Sequence, residues 1–187
     1  YGAKVKAKPA TDKELRDYFE THNASHKRYW TVERRSGAVW KFSPESYGIS
    51  VTPAELKTAY ENNKARYADK SFDAVRKDLE KELVQSKFNA RFTADVQRIT
   101  QQGNAAAFEQ FAKKHGAKKT SLVDEVLKPD SAVISKLFSL KTPGKAGAVV
   151  AHNEGSLVVL DAIKERVSRP FNDVKAEVER DYYQEKA

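Results

Sequence analysis

The sequence predicts a mainly helical α+β protein, and three observations carry that expectation. Helix-start signals occur twice, at Thr11-Asp12-Lys13-Glu14 and at Thr52-Pro53-Ala54-Glu55, where a threonine cap and a glutamate three residues on can exchange hydrogen bonds with the backbone. Apolar residues recur every three to five positions from Phe72 to Ile99, the spacing of one helical face. Asn153-Glu154-Gly155 lies between Ala148-Val149-Val150 and Leu157-Val158-Val159-Leu160, which is a hairpin signal.

Taken in order, the first helix should run from about Asp12 to Asn23, with Leu15, Tyr18, Phe19 and His22 on one face. Tyr29 to Phe42 holds Trp30, Val32, Val39, Trp40 and Phe42 around Ser36-Gly37, which predicts a short extended pair turning there. Thr52-Pro53 opens the next helix, with proline where its missing N–H costs little. The third helix should run from Ser71-Phe72 to about Gln102 and stop at Gly103. At 1.5 Å per residue it would be about 45 to 50 Å long, so a strut between lobes is expected. A short helix from Asn104 to His115, a strand from Lys118 to Val126, a helix from Asp130 to Ser139, the hairpin and a last helix from Phe171 complete the chain. That last helix is expected to return beside the long one.

The 187 residues fit one large domain or two small ones. No run approaches 18 apolar residues, so no bilayer-spanning helix is expected. With no cysteine, disulfides, thiolate zinc sites and cysteine nucleophiles are excluded together. His22 and His26 are four apart, but no glutamate follows His22 as a zinc-protease motif requires, so a surface pair is expected, with no metal and no cofactor. The chain begins at Tyr1 and has no methionine, which reads as a mature or excised piece. The net charge is +8, which raises the prospect of nucleic acid. Yet bases and acids interleave, as in Arg76-Lys77-Asp78-Leu79-Glu80-Lys81-Glu82, the pattern of a solvated helix face. Nucleic acid is therefore not expected as a partner, and Lys4 to Lys8 reads as a tail.

Two internal repeats follow. Thr11 to Glu20, leading to Arg28-Tyr29, matches Thr52 to Glu61, leading to Arg66-Tyr67, in cap, leucine, basic residue, aromatic and glutamate. Phe171, Val174, Val178 and Tyr182 match Phe72, Val75, Leu79 and Leu83.

Thr52 to Tyr67 resembles the "T-x-x-E-L-x-x-Y-Y-x-x-N-K-x-R-Y" motif of the periplasmic parvulin-type chaperones and foldases, the SurA-like and PpiD-like family, and Thr11 to Tyr29 resembles it more loosely. Arg34 to Glu45 resembles the extended connector between the copies. Leu137-Phe138-Ser139-Leu140, Gly144 and Gly155 to Leu160 resemble the closing half of a parvulin domain. Where the family carries a catalytic prolyl-isomerase domain, between the "N-K-x-R-Y" and "S-F-x-x-V" helices, this chain has only Ala68-Asp69-Lys70. The family's opening strand "R-A-R-H-I-L" is not found, and the histidine of its "G-x-H-I-I" strand falls on Leu157.

The resemblance implies a helical chaperone-like region over 1–103 with an extended connector at about 29–42, completed by a helix at 170–187, and a degenerate parvulin-like α+β unit over 104–169. It implies a periplasmic holdase or foldase module, inner-membrane anchored through a segment absent from this chain. Its partners would be unfolded or nascent secreted and outer-membrane proteins, and the secretion translocon. Isomerisation needs an enclosed pocket that twists an X–Pro amide over about 18–20 kcal/mol, and a half-domain without that histidine is a poor candidate, so no catalytic residue is assigned. A residual isomerase and a basic nucleic-acid-binding helical protein are the alternatives. Aromatic side chains offer large apolar area with little rotamer freedom to lose. The candidates for holding clients are Trp30, Trp40, Phe42, Tyr60, Tyr67, Phe88 and Phe92.

Overall fold

A computed structural model describes residues 9–151 and 153–187; the Lys4–Lys8 tail and His152 lie outside them. The described residues form seven helices and a four-stranded antiparallel sheet, a mainly α, α+β fold. They divide into two compact units: Arg34–Lys164, and the segment up to Glu33 together with Glu165–Ala187.

In the larger unit the chain runs β1 (Arg34–Phe42), α2 (Pro53–Asn62), α3 (Lys64–Tyr67), α4 (Phe72–Gln102), α5 (Ala105–Lys114), β2 (Lys119–Glu125), α6 (Ala132–Ser139), β3 (Ala146–Ala151) and β4 (Glu154–Lys164). The sheet order is β2-β1-β4-β3. The expected connector is thus an inner strand, paired with β4 on one side and β2 on the other. The sheet-bearing compact unit thus runs from Arg34 to Lys164, with the connector as one of its strands.

Ser36-Gly37 does not turn the chain. It marks a shift of register within one continuous strand. A Cβ on Gly37 would stand 2.0 Å from the Val159 carbonyl oxygen, so this glycine serves close backbone approach at a bulge.

α4 has 31 residues, capped by the Ser71 side chain and closed by Gly103 in the left-handed region. It lies wholly within this unit, so it is no strut between lobes. It packs on α2, on α5 and on the β3–β4 hairpin, because the apolar stripe is long enough to serve several neighbours.

In the smaller unit, α1 (Asp12–His26) packs against α7 (Phe171–Lys186). The partner of α7 is therefore α1 and not the long helix. Leu15, Tyr29, Phe171, Val174 and Val178 form its core, with Phe19 and Tyr182 against it. Tyr29 donates its hydroxyl proton to Asp181 at 2.8 Å, and burial with that bond pushes the phenol's pKa up. The Asn23 side chain is buried but satisfied, accepting from the Tyr29 amide and donating to Ser168. His22 is half-buried, its ring tilted against Tyr18 at 4.0 Å and its Nε2 3.6 Å from Glu185, because the helix pair closes over it.

Candidate functional site

Strand alternation sends Ala38, Trp40, Phe42, Leu157 and Val159 to one face of the sheet and Val39, Val158 and Leu160 to the other. Phe88, Phe92, Val96 and Ile99 of α4, with Phe108 and Phe111 of α5, fill the first face. Ile134 and Leu137 of α6 fill the second. Gly155 lets α4 approach, since a Cβ there would meet the Phe92 ring at 2.7 Å. Leu157, where the family's histidine motif falls, is fully buried.

This placement corrects four of the expected client-binding residues. Trp40, Phe42, Phe88 and Phe92 are 4, 1, 0 and 0% exposed, so they hold α4 on the sheet and offer nothing to a client. Large aromatic area singles them out, and that area fills a core as readily as it meets a client.

A titratable cluster that the sequence reading did not assemble lies at the edge of that core. Tyr47 donates to Asp95 at 2.8 Å, and its ring stacks on His115 at 4.1 Å with a 4° interplanar angle. Burial, reinforced by Asp95, pushes the Tyr47 phenol up. Burial, with Lys114 adding repulsion, pushes the His115 imidazole down. At neutral pH both rings are therefore uncharged. The cluster ties the Ser43–Ile49 turn to α4 and α5, and the Arg91 guanidinium lies 5.5 Å over the Tyr47 ring. No local motif joins residues 47, 95 and 115.

Two expected residues do come together near the surface. Tyr60 and Tyr67 stack at 5.6 Å, and Phe72 meets Tyr60 edge-on at 5.6 Å. All three are half-buried. The cluster forms because Tyr60 Oη donates to the Lys70 carbonyl at 2.7 Å, the Lys70 amide turns back to Tyr67 at 2.8 Å, and Arg66 bridges to Glu82 at 2.8 Å. Trp30, in the other unit, is half-buried with the Lys27 ammonium 4.9 Å over its ring. Its Nε1 proton is buried and has no partner among the described residues.

An open groove of about 920 Å³ runs along α4, lined by Gln85, Ser86, Asn89, Thr93 and Gln97 and ended by Asn153 in the β3–β4 turn. Gln85 accepts from the Asn153 amide at 2.7 Å, which joins the helix to the hairpin tip.

A sheet of order 2-1-4-3, with helices between its first and second strands and on both faces, defines a parvulin-like class of fold. Residues 51–176 match the family model of the PPIC-type PPIASE domain. That is more than half of the chain, and the protein belongs to this family. No curated protein and no solved structure matches the chain.

Proposed function

We propose that the protein is a chaperone module of the parvulin-type foldases, holding unfolded or newly translocated polypeptides without isomerising them. The observation that carries the reading is the filled sheet. Leu157, on which the family's histidine motif falls, is buried with Trp40, Phe88 and Phe92 under α4, which favours holding over isomerisation. Client contact passes instead to Tyr60, Tyr67 and Phe72 and to the groove along α4. Each apolar Å² that a client buries there is worth about 25 cal/mol, so binding is weak per contact and tolerant of sequence. The proposed setting is the periplasm, with secreted and outer-membrane proteins as clients. A SurA-like or PpiD-like parent that carries an anchor would place the module beside the secretion translocon.

The test is aggregation of a chemically unfolded client, followed by light scattering. The chain should delay it at near-stoichiometric ratio, and Tyr60→Ser with Tyr67→Ser should weaken the delay several-fold; no delay by the unaltered chain overturns the proposal. Family membership favours a second reading, residual prolyl isomerisation, with the Tyr47–His115–Asp95 cluster as its polar group. Acceleration of a proline-limited refolding reaction would establish the activity, and a rate equal to background would dismiss it.

A further inference from the structure

The two edges of the sheet differ in chemistry. β2, at one edge, carries Lys119, Asp124 and Glu125, and its register shifts against β1 where Asp124 takes a φ of +46°. Charges and a bulge are how natural edge strands refuse a further strand. β3, at the other edge, reads Ala146-Gly147-Ala148-Val149-Val150-Ala151, with no charge, no proline and an unbroken register against β4.

The hydrogen-bond ladder shows which backbone groups of β3 remain available. Leu160 donates to the Lys145 carbonyl at 2.9 Å and accepts from the Gly144 amide at 2.7 Å. In an antiparallel pair the bonded positions recur every second residue, so Gly147, Val149 and Ala151 bond to Val158, Ser156 and Glu154. Ala146, Ala148 and Val150 then turn their N–H and C=O groups outward. Among the described residues none of these outward groups has a hydrogen-bond partner.

The surroundings of that edge say what would pair with it. Ala146 and Ala148 face α4, so alternate side chains of an added strand would lie on the α4 side, toward the open groove and its small lining residues Ser86 and Thr93. The other side chains would lie on the α6 side. There the Lys136 stem covers Gly147 and Lys145 leads into the strand. Neither lysine has an ion-pair partner among the described residues.

We propose that β3 binds an extended client segment by strand addition, and that the preferred segment alternates apolar residues, directed to the α4 groove, with acidic or polar ones directed to Lys136 and Lys145. Backbone pairing supplies affinity without a sequence requirement, and the two chemically different sides set the pattern. This inference rests on the client-holding function proposed above and names the client's chemistry.

The test uses the full chain and a synthetic eight-residue peptide alternating leucine or valine with glutamate or threonine. Ala148→Pro removes one outward donor, and proline is tolerated on an edge strand where its N–H would face solvent. Val150→Lys serves as a second variant that blunts the edge. Expected are peptide binding by the unaltered chain, slowed hydrogen exchange at Ala146, Ala148 and Val150 but not at Gly147 or Val149, and about tenfold weaker binding by either variant. A peptide N-methylated at alternate amides should bind as poorly as a scrambled one.

Equal binding by the unaltered chain and a folded variant overturns strand addition. So does a dimer of the chain that the variants abolish, since the edge would then be occupied by a second copy. If the peptide fails to bind while client aggregation is still delayed, strand addition is overturned and the holding function stands. Failure of both overturns both.

Discussion

The α1–α7 pair and the α2–α4 pair are built from the same pattern and end in different states. Each begins with a threonine accepting from the backbone of a glutamate three residues on. Each buries one leucine, Leu15 or Leu56, against the helix that carries the second repeat. Even the ties match, for Asp181 and Glu82 both stand ten residues into their helices and hold the Arg-Tyr segment, through Tyr29 in one case and Arg66 in the other. Yet Tyr29 is 2% exposed and lies in a closed aromatic core, whereas Tyr67 stays half-buried with Tyr60 and Phe72. The first pair has Phe19, Phe171 and Tyr182 to close over its tyrosine. In the second the corresponding loop is three residues shorter, and Leu83 stands where Tyr182 would. One motif thus makes a core in one place and a contact surface in the other.

Variants can break or sharpen that comparison. Leu15→Ala should cost about 3 kcal/mol, because the cavity is walled by packed aromatics and cannot collapse, while Leu56→Ala should cost roughly half as much. Urea denaturation of each variant measures this, and equal losses would break the contrast. Tyr29→Phe removes the donor that Asp181 faces and should cost about 1 to 2 kcal/mol; Tyr67→Phe should leave the urea midpoint unchanged. The caps should sharpen the likeness: Thr11→Ala and Thr52→Ala should each cost about 1 kcal/mol, and a large difference between them would argue against structural equivalence.

The smallest effect separates the two units by pH. Burial lowers the His115 pKa in the folded state, so below its ordinary value of 6.5 the unfolded chain binds more protons than the folded one. The stabilisation is full above that value and is lost as pH falls through the folded-state pKa. Mild acid should therefore weaken the unit containing His115, reported by the fluorescence of buried Trp40, and His115→Phe should flatten the slope. An unchanged slope would show that other groups set it.

Helix positions were legible because their signals are local. Thr11, Thr52, Ser71 and Asn104 each cap the helix that follows, and Gly103 ends α4 as expected. The hairpin around Asn153 was legible for the same reason. Tyr29 to Phe42 reads as an extended pair turning at Ser36-Gly37 because strand pairing is non-local: the partners of β1 are residues 119–125 and 155–164, and Gly37 resembles a turn glycine until the Val159 carbonyl is placed beside it. For the candidate site the division is sharper. Tyr60 and Tyr67 reached a half-exposed cluster, while Trp40, Phe42, Phe88 and Phe92 went to the core, and composition alone treats both sets alike.

Periodicity and capping by themselves determined the helices, the hairpin, the repeat and the mainly helical α+β class, since each depends on residues within one or two turns of chain. Only the tertiary structure decided which copy of the repeat closes, which aromatics meet solvent and which edge of the sheet stays bare. Those outcomes depend on what covers a face, and the covering residues lie tens of positions away in the chain.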